Sequence, residues 1–516
     1  MVALAKHVER IAVRATGIIS GLATVLVMLA PSQAFALPAF ARQTGQNCVA
    51  CHAGGQFPEL TPYGRMFKMT GYTIGERSVP LSVMGVLSYA KVSDTSKSDA
   101  PQNDFQKNGV PLFATGSVFL AGKVTDNIGA FTQITYDNYS NAANGDPATD
   151  YSVNGRFQGH SGADNMDIRY ADHFIDTDRD LVLGLSINNN PTVSDPWSSA
   201  AAWMQYVPGA SPTSHQFADG PYPGYGAGSN LAGASVYGYW NKIIYAELGT
   251  YRTANRAFSF MSAGIPNGGT THLEGNNNPY WRFAYSREWG PHNLMIGTSG
   301  MNAHVYDDPT DTSIPDSVSH IKNTGIDAQY QYLLDTHTIT AQMAYMRQTT
   351  NYSVASGNPT APSFTDSLGN SYNFVDASGN PLPLTNSSDT TNIFRAKVSY
   401  IYQAKYGGSL AFFNVTGTTN TANQTSGYDP CSLTVNSTAD TTVGCAPSTR
   451  VGGNFSGNPA TRGFTYEAFW TPVQYVRVGA QYTTYSKFNG ATDNYDGFGR
   501  NAKDNNTLRL YVWAAY

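Results

Sequence analysis

From about residue 80 to its end the chain is written with a period of two. In "IFRAKVSYIY", Phe394, Ala396, Val398, Tyr400 and Tyr402 face one way, and Arg395, Lys397 and Ser399 face the other. "GFTYEAFW" sets Phe464, Tyr466, Ala468 and Trp470 against Thr465 and Glu467, and "YVRVGAQY" sets Val476, Val478, Ala480 and Tyr482 against Arg477 and Gln481. Successive side chains of a strand point to opposite faces, so a charge in mid-strand means that one face meets polar surroundings. A strand in a two-sheet sandwich obeys the same rule. The alternation alone therefore leaves the architecture open.

The connections decide it. Short turns fall at "VTDNIG", "DTDRD", "YWNK", "EWGPH", "LLDTH", "YQAKYG" and "WTPVQ". Between these hairpins lie long stretches rich in Gly, Asn, Ser and Thr, such as 191–230, 348–390 and 417–461. Short turns at one end and long loops at the other is the layout of an outer-membrane barrel, and the count is about sixteen strands. Aromatic residues, 33 Tyr among them, gather near strand ends, where interface girdles place them. The final "LRLYVWAAY" alternates through Leu508, Leu510, Val512 and Ala514 to Tyr516, like the terminal strand read by the bacterial barrel-assembly machinery. The expected fold is thus mainly β: a transmembrane antiparallel barrel over 81–516, in contact with outer-membrane lipid.

Composition agrees. Only 13% of residues are charged, few for a soluble enzyme of 516 residues. With 31 Lys+Arg against 36 Asp+Glu there is no basic surface for a nucleic acid. Residues 1–36 read as a cleaved secretory signal: Lys6, Arg10 and Arg14, then an apolar run from Ala15 to Ala30, then the small-residue site Ala34-Phe35-Ala36. No later apolar run is long enough for a membrane helix. Cys431 and Cys445, in one long loop, are expected to pair as a disulfide in an oxidising compartment.

Between signal and barrel, 37–80 is a small segment of another kind. "QNCVACH" holds Cys48, Cys51 and His52 in the C-x-x-C-H spacing of c-type haem attachment. Two cysteines three apart on one helical turn can each add to a vinyl group of one haem, and the adjacent histidine can reach the iron. A thioredoxin-like motif would need a βαβ context, and a zinc site would need two further ligands nearby. The chain offers neither. "FARQTGQNCVACH" can form a haem helix. "TPYGRMFKMTG" reads as a second helix, with Thr61 as N-cap, Pro62 at N1 and Gly71 at C′, and with Tyr63, Met66, Phe67 and Met69 able to share a face. Met66 and Met69 are the local candidates for a sixth iron ligand. We favour Met69, although either methionine serves equally as core, and Met84 on the first strand is a more distant candidate. Arg65 and Lys68 either neutralise haem propionates or face solvent. Arg282, Arg395, Lys397, Glu467, Arg477 and Arg509 are inward positions able to hold the segment inside the barrel, or ordinary lumen charges.

A single-haem cytochrome segment followed by a barrel resembles the fused cytochrome–porins of the outer membrane, a family that includes iron oxidases of iron-oxidising bacteria. The resemblance is carried by "AFARQTGQNCVACH", by "FPELTPYGRMFKMTGY" with its Phe57-Pro58, Gly64-Arg65, Phe67-Lys68 and Gly71-Tyr72, and by "NNNPTVSDPW" after an early barrel strand. Over the rest of the barrel it is architectural only. It implies one covalent haem c on Cys48, Cys51 and His52, and oxidation of extracellular Fe(II) with electrons passed to a soluble periplasmic cytochrome or another carrier. It transfers no distal ligand and no Fe(II) site. The competing expectation is a diffusion porin whose haem segment gates or senses, or a conduit for another extracellular donor or acceptor.

Overall fold

The computed structural model describes residues 39–55, 57–94, 109, 111–137, 160–199, 230–262, 272–307, 312–313, 317–353, 364–365, 371–372, 386–420, 456–495 and 499–516. The expected signal and the Cys431–Cys445 pair lie outside them. Sixteen strands close into one antiparallel barrel. We number them β1 (Leu81–Val92), β2 (Leu112–Lys123), β3 (Ile128–Asp137), β4 (His160–Ile175), β5 (Asp180–Asn188), β6 (Leu231–Trp240), β7 (Ile244–Thr253) and β8 (Asn278–Trp289). The second half is β9 (His292–Tyr306), β10 (Val318–Leu333), β11 (His337–Asn351), β12 (Ser388–Tyr402), β13 (Tyr406–Gly417), β14 (Thr461–Val473), β15 (Val476–Lys487) and β16 (Thr507–Ala515). Each strand pairs with its chain neighbours. The seam closes where β16 pairs with β1, from Met84 opposite Ala515 to Val92 opposite Thr507. All seven expected short turns join consecutive strands at one end.

The alternation is realised as expected. On β12, Arg395, Lys397 and Ser399 are buried toward the lumen, while Val398 and Tyr400 are exposed. On β5, Leu183, Leu185 and Ile187 are exposed while Val182 and Ser186 are buried. With Val236, Leu248, Phe283 and Ile326 these outward positions form a continuous apolar band. An apolar outer face on a closed barrel is stable against lipid, because closure leaves no unpaired backbone edge.

Residues 39–55 and 57–80 form a plug ahead of β1. The expected haem helix is broken in two, α1 (Ala39–Thr44) and α2 (Cys48–Cys51), because Gly45 adopts a positive φ of 66° between them. Helix α3 (Pro62–Met69) has the expected ends. The Thr61 side chain accepts from the Gly64 N–H at 3.2 Å. At the other end the Gly71 N–H donates to the Lys68 carbonyl at 3.1 Å, and the Tyr72 N–H to the Phe67 carbonyl at 2.9 Å. That pair, with Gly71 at φ 76°, is the Schellman closure of a helix. The expected single apolar face does not form. Tyr63 is exposed, Phe67 packs on Phe40 with ring centroids 4.9 Å apart, and Met69 packs on the barrel wall. An enclosed helix meets partners on several sides, so a one-stripe reading fails for it.

Candidate functional site

Helix α2 carries the two thiols on one turn, and His52 is its C-cap. The His52 N–H donates to the Cys48 carbonyl at 2.8 Å, and the Ala53 N–H to the Glu59 carbonyl at 2.8 Å. The Thr61 hydroxyl donates to the Ala50 carbonyl at 2.5 Å and the Thr61 N–H to the Cys51 carbonyl at 2.9 Å, so α3 starts directly against the motif. The crossing needs glycine: a Cβ on Gly64 would stand 2.1 Å from the Cys51 carbonyl oxygen. Above the motif the His52 and Phe57 rings are 4.1 Å apart, and Phe57 continues to Trp513 on β16 at 5.4 Å.

Cys48 and Cys51 are both free thiols. Burial pushes both up in pKa, Cys51 to about 11 with help from the neighbouring Cys48. Burial pushes His52 down to about 4, against a smaller opposing pull from the Glu59 backbone, so the imidazole is neutral at ordinary pH. Its Nδ1 is buried without a regular hydrogen bond.

The plug is fastened all the way round. At β1 the Ala39 N–H donates to Ser82 Oγ at 2.5 Å, and at β2 the Lys123 N–H donates to Gln43 Oε1 at 2.8 Å. The Tyr72 hydroxyl donates to Asp167 Oδ2 on β4 at 2.6 Å, and the Tyr237 hydroxyl of β6 donates to the Met69 carbonyl at 2.7 Å. Arg65 Nη1 donates to Gln331 Oε1 on β10 at 2.9 Å, and Lys397 on β12 forms a buried ion pair with Glu59. Phe57 against Trp513 completes the circuit at β16. Gln331, Lys123 and Lys397 all lie within a few residues of a short turn, and Gly71 packs on the 124–127 turn: a Cβ there would be 3.4 Å from the Asn127 carbonyl. The plug therefore sits at the short-turn mouth.

A second element meets it from the other side. After β5 the chain turns into the lumen through α4 (Pro191–Ser194), and Asn188 to Ser199 are nearly all buried. This is the "NNNPTVSDPW" stretch. Asp195 binds Arg282 Nε at 3.3 Å, and Arg282 holds Asp327 with two bonds of 2.6 and 2.8 Å. Ser199 donates to Asp327 Oδ2 at 2.5 Å. Lys68 of the plug donates to the Asp195 carbonyl at 3.1 Å, and the Arg65 guanidinium lies 5.9 Å from the Trp197 ring centroid. Burial pushes Lys68 down to about 8 and Arg65 down to about 10. Neither faces solvent, so that alternative for Arg65 and Lys68 is removed: Arg65 bonds the Leu60 carbonyl at 2.7 Å as well as the wall, and Lys68 bonds the inserted loop.

Met69 is 1% exposed and packs with Val182, Trp197, Tyr237, Tyr245 and Met295. Met66 is partly buried against the same cluster. Met84 is only partly buried, on the β1 wall between the lipid-facing Val83 and Gly85. Of the six inward charges, Lys397 meets the plug and Arg282 meets the inserted loop. Arg477 pairs with Glu467 at 2.8 Å, which also accepts from the Tyr511 hydroxyl. Arg395 and Arg509 are buried in the wall. Sequence reasoning missed the inserted loop's docking role and the Asp167–Arg169 pair at 2.7 Å beneath Tyr72. Its only signal was two charges at alternate positions of a strand, which looks like any lumen-facing face.

No family model matches the chain, and no curated protein matches it. Among the solved structures that are similar to it are outer-membrane channels and porins. They include the outer membrane channel DcaP of Acinetobacter baumannii (9% identity, 84% of this chain and 96% of that one, TM-score 0.38). They also include OmpF of Salmonella typhi (8%, 84% and 97%, TM-score 0.41) and an anion-selective porin from Comamonas acidovorans (10%, 85% and 99%, TM-score 0.37). Likeness this remote carries no argument, and the barrel stands on this chain's own strand pairing.

Proposed function

We propose that this protein is an electron conduit of the bacterial outer membrane, in which one covalent haem c held by Cys48, Cys51 and His52 links extracellular Fe(II) to a soluble periplasmic cytochrome or similar carrier. The observation that carries the reading is the placement of a C-x-x-C-H turn inside a lipid-spanning barrel, on a plug fastened round the circumference. A membrane is an insulator, so a lone redox centre is useful to it only if the protein holds that centre within the wall.

The residues present fit the group. Both thiols are free on one helical turn, the adjacent imidazole is neutral and can offer a lone pair, and Phe57 supplies an apolar neighbour. When bound, haem c supplies a one-electron redox centre. The rest is done by the chain. Cys48 and Cys51 tether, His52 orients, and the seven wall contacts hold α2 at a fixed depth near the short-turn mouth. Met69 is left to packing, since its side chain is enclosed by the wall aromatics, and no acid, base or nucleophile is asked to act.

A second reading has its own support. Sixteen strands can enclose an aqueous channel, which favours a diffusion porin whose plug gates or senses. Two measurements on the purified protein separate the readings. Stopped-flow spectroscopy with Fe(II) should show the haem bands becoming reduced, with slow solute flux through proteoliposomes. Haem that stays oxidised under excess Fe(II), together with rapid flux, would leave the gated porin.

A further inference from the structure

Far from the plug, on the outer face of the wall at the long-loop end, three potential metal ligands stand in a row. Leu273 forms an isolated β-bridge with Val305. The Glu274 N–H donates to the His304 carbonyl at 2.8 Å and the Tyr306 N–H to the His272 carbonyl at 2.9 Å, so 272–274 lies beside β9 like a short extra strand. On the other side His304 is the register partner of His320 on β10. The His304 N–H is spent on Asn278 Oδ1 at 2.8 Å and its carbonyl on Glu274, both away from β10. His304 and His320 are therefore a non-hydrogen-bonded pair, the kind in which Cβ atoms stand about 5 Å apart and side chains come closest.

The side chains already touch. The two imidazole rings stack with centroids 4.2 Å apart, and Glu274 Oε2 lies 3.5 Å from His304 Nδ1. All three are accessible: Glu274 is 46% and His304 38% exposed at the side chain, and His320 is exposed. They point outward, because Met301, Ala303 and Ile321 between them are buried. They also lie beyond the lipid band. Outward positions along β10 run Ile326, Thr324, Lys322, His320, and their partners on β11 run Tyr345, Arg347, Thr349, Asn351. The wall turns from apolar to charged before the row is reached, so the row faces water.

We propose that Glu274, His304 and His320 bind one divalent first-row transition-metal cation, with water completing its shell. Two imidazoles and a carboxylate are a donor set suited to Fe(II), and imidazole also suits zinc, nickel and copper. As they stand, no three His, Cys, Asp or Glu side chains among the described residues, these included, are placed to hold a metal ion. The ion would gather these by turning the two rings out of their stack, a rotation that exposed side chains make freely. Binding would tie 272–274, β9 and β10 together across the rim. The site lies at the opposite end of the strands from the plug and stands whether or not the haem reading does.

Zinc(II) is the probe, because it is redox-inert and reports nothing about the haem. Calorimetric titration of the full-length protein in detergent near neutral pH should find a site that weakens at least tenfold in His304→Ala and in His320→Ala. Glu274→Gln should weaken it severalfold, and Asn351→Ala, in the same row but outside the proposed donor set, should leave it unchanged. The substituted side chains are water-facing, so the barrel should fold, as its heat-modifiable mobility would show. All other histidines stay in place and contribute a common background. Zinc(II) affinity in the His304→Ala/His320→Ala double variant equal to that of the unaltered protein would overturn the proposal.

Discussion

The Lys397–Glu59 ion pair offers the sharpest test of how firmly the plug is seated. Both side chains are almost wholly buried, 5% and 4% exposed, one on the β12 wall and one on the loop before α3. Removing one partner strands the other charge in a site closed to water, which costs about 3–5 kcal/mol. At about 1.4 kcal/mol per factor of ten, the plug's opening equilibrium should rise by roughly a hundredfold to a few thousandfold in Glu59→Gln or Lys397→Met. Hydrogen exchange reads this directly, since amides protected only by the seated plug exchange in proportion to its open population. The amides of Ala53, Thr61 and Arg65, each bonded inside the plug, are the reporters, and those of β12 are the controls. The double variant should recover most of the protection, because a neutral pair of similar volume avoids the buried charge. Single variants within about threefold of the unaltered protein, or a double variant whose loss is the sum of the singles, would refute this account of the contact.

Three further outcomes follow. Gly64→Ala should displace α3 from α2, because the new Cβ would sit 2.1 Å from the Cys51 carbonyl; a loss of about 3 kcal/mol or more in plug protection is expected, with the barrel's heat-modifiable mobility kept. Cys48→Ser and Cys51→Ser should each reduce the yield of haem that survives acid acetone extraction, and the double variant should hold none, as a pyridine haemochrome assay would show. Lys68 titrates at about 8 in the seated plug against 10.5 when free. The unfolded plug thus binds more protons between these values, so plug stability should rise with pH across that window, by up to about 3 kcal/mol. Protease resistance of the plug should climb between about pH 8 and 9.5, and Lys68→Met should abolish the climb; an unchanged slope would disprove the assignment.

The barrel was legible in the sequence because lipid on one side and water or plug on the other impose a strict period of two, and turn chemistry marks every hairpin. Arg395 against Val398 could be oriented from spacing alone. The ends of α3 were legible for the same local reason: Thr61, Pro62 and Gly71 act within a few residues of themselves. The apolar face of α3 was not, because which way Phe67 and Met69 point depends on walls hundreds of residues away. Lys68 looks like a surface lysine until Asp195 and Trp197 are known to enter the lumen. "NNNPTVSDPW" gave no sign of turning inward, since its Asn and Ser residues also suit an exposed loop and their buried partners come from β4, β8 and β10. Glu274, His304 and His320 are dispersed in sequence and become neighbours only through register.

The closure of β16 on β1 has a consequence for the order of biogenesis. The plug precedes β1 in the chain, touches strands from both halves of the barrel, and has Trp513 of the closing strand against Phe57. In the seated plug the Cys48 thiol is buried and the Cys51 thiol half-buried, and protonated thiols are poor nucleophiles. Any covalent loading of Cys48 and Cys51 is therefore easiest before the chain's last hairpin zips against its first strand. A chain whose seam closes too early would be an intact barrel in which Cys48 is already buried against attachment.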